Sequence, residues 1–256
     1  PCRPIVISLG VFTMLLGGFQ SLRERDLKRI LAFGTVSQLG LLTVVLGYGT
    51  RDAALAGIAL MISHALFKSA LFLVVGVIDR QLGTRDIDEL SGVGRQAPVM
   101  ATFSFIAIAS MIGFVPTLGF VAKEAAFTAF LAEGQGGAVW GWIALVGIVI
   151  GSGLTVGYGA RFLWGAFWTK PDIERTEWPD PPIGFLGAPV LLAGLTVVGG
   201  IAAPWIDPAL QTYAETGPAA SAGVAAPDHA YHLSLWHGLE PAMWLSILTI
   251  ILGAGV

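Results

Sequence analysis

The chain has a single cysteine, Cys2, in 256 residues, so no internal disulfide can staple it and its redox compartment stays undetermined. Charge is equally scarce. Asp, Glu, Lys and Arg together make up 12% of the residues, where a soluble domain carries about 25%. That scarcity argues against an ordinary water-soluble domain, and a net charge of −3 gives no reason to expect a nucleic-acid partner. No phosphate-binding loop, nucleophile triad or cofactor motif is visible, so neither an enzyme nor a cofactor is expected. What the chain has instead is apolar length: 55% hydrophobic residues and a mean hydropathy of +0.76. The reading is an all-α, polytopic membrane helix bundle.

Seven apolar segments lie near the roughly 20 residues that a span needs. They run over about 4–20, 27–49, 52–79, 98–132, 137–168, 184–204 and 239–256. The fourth, at 35 residues, would be roughly 52 Å long as one helix, far more than a core of about 30 Å. Pro116 interrupts it, between Gly113 and Gly119. Proline removes a backbone hydrogen bond and clashes with the preceding turn, so this span is predicted to be broken between about 113 and 119. A break at membrane depth is tolerated where protein or a hydrated cavity satisfies the backbone, and it marks binding sites in transporters. A packing kink alone is the plainer alternative.

Ten of the 14 Lys and Arg residues fall on one side if the spans alternate: Arg23, Arg25, Lys28, Arg29, Arg80, Arg85, Arg95, Arg161, Lys170 and Arg175. Only Arg3 and Arg51 fall on the other, and the basic side is read as cytoplasmic. "RERDLKR" (23–29) reads as a solvated cytoplasmic loop. The organisation expected is a bundle over 1–204, an extracytoplasmic linker loop over 205–238 and a further membrane region from 239. The linker holds Asp228, His229, His232 and His237, but their spacing fits no strong zinc signature. The start could pass for a signal peptide, yet it shows neither an initiator methionine nor a clear cleavage site. With Pro1 first and Val256 inside an apolar run, the sequence reads as a piece of a longer one.

The remaining two basic residues lie inside spans. Lys123 opens "KEAAFTAFLA" just past the expected break, and Lys68 sits mid-span in "LMISHALFKSALFLVVGVI" (60–78), too deep to reach an interface easily. An ionisable group at such depth costs several kcal/mol and is a functional-site hypothesis by default. His64 precedes Lys68 by one helical turn and shares its face, so the two can pass protons through intervening water. Glu124 adjoins Lys123 but points about 100° away; it could face a different cavity or cap the broken helix. Thr35, Ser37, Gln38, Ser152, Thr155 and Tyr158 could line a hydrated path or serve as interhelical glue.

Three stretches carry a family resemblance: "DLKRILAFGTVSQLG" (26–40), "SHALFKSALFLVVGVID" (63–79) and "SMIGFVPTLGFVAKE" (110–124). They resemble the antiporter-like membrane subunits shared by Mrp-type cation/proton antiporters and respiratory complex I. The stretches at 83–98 and 235–253 resemble the large A-type subunit of the Mrp system. The resemblance implies two inverted five-helix repeats, each with a broken fourth helix, of which spans 1–5 would be the second. It implies that Lys123 is the terminal proton-transfer lysine and that Lys68 and His64 belong to a central hydrophilic axis. The family's first repeat, which supplies a glutamate–lysine pair, has no counterpart here. Val115, Ala122 and Gly34 depart from the proline, serine and serine usual in the family.

The expected function is proton translocation in a multi-subunit Na⁺/H⁺ (or K⁺/H⁺) antiporter of the bacterial cell membrane, with other subunits, the bilayer, protons and the cation as partners. The alternatives are a proton-pumping subunit of a respiratory NADH/quinone complex and a structural membrane scaffold. The charge asymmetry generates a first prediction: loops 21–29, 80–97 and 169–182 face the cytoplasm. A single cysteine placed at 85 should resist an impermeant maleimide in intact cells, and efficient labelling there would overturn the topology.

Overall fold

The computed structural model describes residues 2–179, 181–216 and 231–255. Those residues form ten helices and no strand: α1 (Arg3–Arg23), α2 (Leu27–Gly47), α3 (Arg51–Leu82), α4 (Val93–Gln96), α5 (Pro98–Ile112), α6 (Leu118–Gln135), α7 (Val139–Phe167), α8 (Ile183–Ile201), α9 (Ala203–Thr216) and α10 (Pro241–Ala254). Helices α1, α2, α3, α7 and α8 are long and apolar enough to cross a membrane unaided. The long fourth segment is indeed two helices, α5 and α6, of 15 and 18 residues. With α10 as the shorter last segment, each of the seven apolar stretches has its helical counterpart.

Close packing follows from small residues, as expected where apolar burial gives helices little reason to associate. Helices α1 and α2 touch backbone to backbone: a Cβ added at Gly40 would lie 2.5 Å from the Met14 amide nitrogen. Helices α2, α3, α5 and α7 surround one apolar cluster built on Leu31, Phe67, Leu71, Val74 and Phe162. A second cluster joins α1, α2, α3, α6 and α7 through Met14, Val45, Leu55, Phe127 and Ile148.

Two loop expectations require correction. Residues 23–29 are solvated, with Arg23, Arg25, Lys28 and Arg29 exposed, but they are not a loop throughout. Only 24–26 lie between α1 and α2, and they are locked to the 83–92 linker by main-chain bonds from Leu27 N–H to the Arg85 carbonyl (3.0 Å) and from Ile87 N–H to the Arg25 carbonyl (2.9 Å). Arg85 ties the junction together by pairing with Asp26 at 3.1 Å and Asp79 at 3.3 Å. The first part of 205–238 is not a loop either, because α9 runs to Thr216. Its buried face is Ala203, Asp207, Gln211 and Ala214, a helical spacing that the proline and alanine content disguised. Asp207 accepts from Leu233 N–H at 2.9 Å and pairs with His232 at 2.8 Å, pinning the chain that follows. His237 stacks on Tyr231. Asp228 and His229 lie outside the described residues, among which no cluster of three or more metal-ligating side chains occurs.

Lys170, expected in a cytoplasmic loop, is only 6% exposed. Its ammonium donates to the carbonyls of Leu90 (2.6 Å), Gly165 (2.9 Å) and Ile87, and lies over the Trp164 ring at 4.9 Å. It thus staples the 83–92 linker to the end of α7. Lys170→Met keeps the stem and removes the donor, leaving buried carbonyls unpaired at about 1–3 kcal/mol each. A clearly lowered melting temperature of the purified protein is expected; an unchanged one would show that the staple carries no stability.

Candidate proton-transfer site

The break between α5 and α6 is built residue by residue. Gly113 ends α5 at φ 84°, a left-handed conformation that costs a side-chain-bearing residue about 1–2 kcal/mol. That turn lets Phe114 N–H reach back to the Ala109 carbonyl at 2.8 Å, a standard helix-ending bond. Thr117 then caps α6, its hydroxyl oxygen accepting from Phe120 N–H at 3.4 Å. The two half-helices cross with no space to spare, since a Cβ at Gly119 would sit 1.8 Å from the Ser110 carbonyl oxygen. Helix α8 presses on the break from outside, where a Cβ at Gly200 would be 2.3 Å from the Pro116 carbonyl oxygen.

Lys123 reads this break directly. It is 4% exposed, and its Nζ donates to the carbonyl of Ile112, the last residue of α5, at 3.1 Å. The last carbonyls of a helix lack intrahelical partners and carry the negative end of the helix dipole, so a cation is well placed there. Glu124 is 2% exposed, and its Oε2 has no hydrogen-bond partner. The two neighbours form no ion pair with each other, in keeping with their divergence around the helix.

Lys68 occupies a second centre, among α2, α3 and α7. Its Nζ donates to the Leu31 carbonyl at 3.2 Å and lies 5.7 Å from the centre of the Tyr158 ring. Gly34 makes this possible: a Cβ there would come 3.0 Å from the Lys68 Nζ and 2.9 Å from the Tyr158 ring. Gln38 donates to Thr155 Oγ1 at 3.2 Å and to the Tyr158 hydroxyl at 3.4 Å, so these three residues form one polar network. Ser37 serves as glue, donating to the Met14 carbonyl of α1 at 2.8 Å. Thr35 bonds back within its own helix to Leu31. Ser152 Oγ is buried without a partner.

His64, one turn before Lys68, rests edge-to-face on Phe67, with a buried Nε2 that has no hydrogen-bond partner. Beside it is a contact that the sequence reading missed. Ser63 Oγ of α3 meets Ser110 Oγ of α5 at 3.3 Å, both fully buried. Helix α3 therefore presents Lys68 and His64 to one centre and a hydroxyl to the last turn of α5, where the Lys123 acceptor lies. The two serines were visible as isolated hydroxyls in apolar runs, but nothing local marks them as a pair.

A bundle of membrane-spanning helices around a broken helix, with two buried lysines held by main-chain carbonyls, is a polytopic membrane protein with ionisable groups at membrane depth. The chain belongs to the NADH:quinone oxidoreductase/Mrp antiporter transmembrane family, whose model matches residues 2–155. It is 34% identical, over 97% of its length, to the A-type subunit of the Na⁺/H⁺ antiporter of Alkalihalophilus pseudofirmus, of which it covers 33%. It is 35% identical, over 98% of its length, to the A/B-type subunit of a probable K⁺/H⁺ antiporter of Rhizobium meliloti, of which it covers 25%. Among solved structures it resembles a chain of the Mrp complex from a Dietzia species, with a TM-score of 0.81 and 36% identity, covering 99% of this chain and 26% of that one. A chain of respiratory complex I from Thermus thermophilus shares the fold at TM-score 0.72 and 21% identity, covering 87% of this chain and 45% of that one. The chain thus spans a third or less of the curated relatives it matches.

The contact between Gly113 and Lys123 can be measured. A Cβ at position 113 would lie 2.8 Å from the Lys123 Cδ, so Gly113→Ala adds a steric clash to the left-handed strain. Its cost in thermal stability should shrink by about 1 kcal/mol in a Lys123→Ala background, because neighbouring residues couple. Strict additivity of the two substitutions would show that the lysine stem does not pack on the break.

Proposed function

We propose that this chain is the proton-translocating part of one component of a multi-subunit monovalent cation/proton antiporter, a transporter rather than an enzyme, set in the bacterial cell membrane with Na⁺ or K⁺ as the counter-ion. The observation that carries the reading is how the lysines are held. Both Lys68 and Lys123 donate to neutral carbonyls, and neither forms an ion pair with a carboxylate among the described residues. An amine in such a place can give up its proton and keep its place, since a neutral amine still donates to a carbonyl. Lys68 with His64 would load the proton, the Ser63–Ser110 hydroxyls would bridge towards the break, and Lys123 would release it, with Glu124 as acceptor on its other side. The buried, partnerless His64 Nε2 and Glu124 Oε2 are the atoms that passing protons or water would satisfy. The names of the antiporter subunits from Alkalihalophilus pseudofirmus and Rhizobium meliloti support cation exchange over redox-driven pumping, since the complex I likeness reaches the fold alone.

The test compares two substitutions in the chain assembled with its partner subunits. Lys123→Ala should abolish cation-dependent proton exchange in inverted membrane vesicles while assembly survives, because removing a buried charge leaves no unpaired carboxylate behind. Lys123→Arg should also fail, since arginine stays protonated at any accessible pH. A scaffold with fixed ion pairs would behave in reverse, tolerating arginine and losing assembly with alanine. Full exchange activity in Lys123→Ala would end the proton-carrier reading.

A further inference from the structure

On the outer surface of the bundle, starting one turn past Lys68, the last turns of α3 and the first turn of α8 line a groove of about 490 Å³. Its walls are Phe72, Leu73, Gly76, Val77 and Phe185, with Asp79 and Arg80 at one end. Gly76 opens the groove: a Cβ added there would meet nothing within 4 Å, so the notch is space left between helices and not a packed contact. Leu73 and Phe185 are about two-fifths exposed along it. Arg80 lies one turn beyond Gly76, about 6 Å along the helix, where the apolar part of α3 ends. Its neighbour Asp79 is engaged by Arg85 at 3.3 Å. Arg80 itself forms no ion pair among the described residues; its guanidinium lies 4.8 Å from the Phe185 ring centre. The positive end of the α8 dipole lies beside the same rim.

We propose that this groove holds one acyl chain of an anionic phospholipid, with the headgroup phosphate bound by Arg80. The match is one of chemistry and of depth. A guanidinium with no ion pair of its own, whose neighbouring carboxylate Asp79 is held by Arg85, offers a planar, charge-assisted fork to a phosphate. An apolar slot one turn deeper takes the first methylenes beneath it. A basic residue at the end of a span on the predicted cytoplasmic side is also where anionic headgroups concentrate.

Native mass spectrometry of the complex carrying this chain, with dioleoyl phosphatidylglycerol, dioleoyl phosphatidylcholine or glycerol phosphate added, tests the site. Retention of phosphatidylglycerol above phosphatidylcholine is expected, with no adduct of the headgroup alone. Arg80→Gln should lower the phosphatidylglycerol-bound fraction about ten-fold. Gly76→Leu, which fills open space, should abolish retention of that lipid at this site while the complex elutes unchanged. A photoreactive residue at position 73 in native membranes should yield a phospholipid adduct that Arg80→Gln diminishes. Equal phosphatidylglycerol retention by wild type and either variant would overturn the proposal. So would a polypeptide adduct from position 73, which would make the groove a subunit interface.

Discussion

A buried ammonium must find an acceptor, and in this fold the acceptor for Lys123 exists only because a helix ends inside the bundle. In an unbroken helix the Ile112 carbonyl would be taken by the amide four residues on. Here α5 stops at Ile112, and the carbonyl stands free to receive Lys123. Several otherwise unrelated features serve that one contact. Gly113 supplies the left-handed turn, Thr117 restarts the chain as a helix, and Gly119 lets α6 pass against the Ser110 carbonyl. Gly200 lets α8 cover the break. Irregular backbone at membrane depth survives only when enclosed by protein or lining a hydrated cavity. The enclosure by α8 and the capture by Lys123 are therefore two parts of one solution.

The Lys68 centre is built differently. Its acceptor, the Leu31 carbonyl, belongs to the body of α2 and already receives the Thr35 hydroxyl at 2.8 Å. Lys68 thus shares its acceptor, whereas Lys123 takes one at a helix end. The position of Lys68 depends on space at Gly34 and on the flank of Tyr158, which is fixed in turn by Gln38. Helix α3 is common to both regions, carrying Lys68 and His64 on one turn and Ser63 against α5. Helix α3 thus reaches both the Lys68 centre and the last turn of α5.

Much of this was legible in the sequence, and the physical reasons are specific. A 35-residue apolar run cannot be one straight span, so length and Pro116 together located the break, which fell at 113–117. Lysines inside apolar runs stand out in any composition of this kind, and their helical phase placed His64 on the Lys68 side. What escaped was whatever depends on a distant partner. Lys170 reads as a loop cation until Ile87, Leu90 and Gly165 converge on it. Residues 24–26 read as a free loop until their backbone pairs with 85–87. Helix α9 carries prolines at 204 and 208, which mask it, and its buried Asp207 and Gln211 bind the chain at 231–233, far along the sequence. The Ser63–Ser110 pair joins hydroxyls 47 residues apart, which no pattern within one span can reveal.

The choice of carbonyls over carboxylates as lysine partners has a consequence for how the site works. A carboxylate would stabilise the ammonium and resist deprotonation, and losing that proton would leave a buried charge unpaired at a cost of several kcal/mol. A carbonyl is neutral in either state. The Lys123 amine keeps a donor for Ile112 whether it carries two hydrogens or three, so the geometry of the break does not hinge on its charge. On the function proposed above, protonation can then change without the two half-helices having to rearrange. Fixed ion pairs would give a stiffer bundle, but one in which each transfer broke a strong contact. Both lysines take the other course, and His64 Nε2, one turn from Lys68, and Glu124 Oε2, adjoining Lys123, are among the buried polar atoms left unpaired.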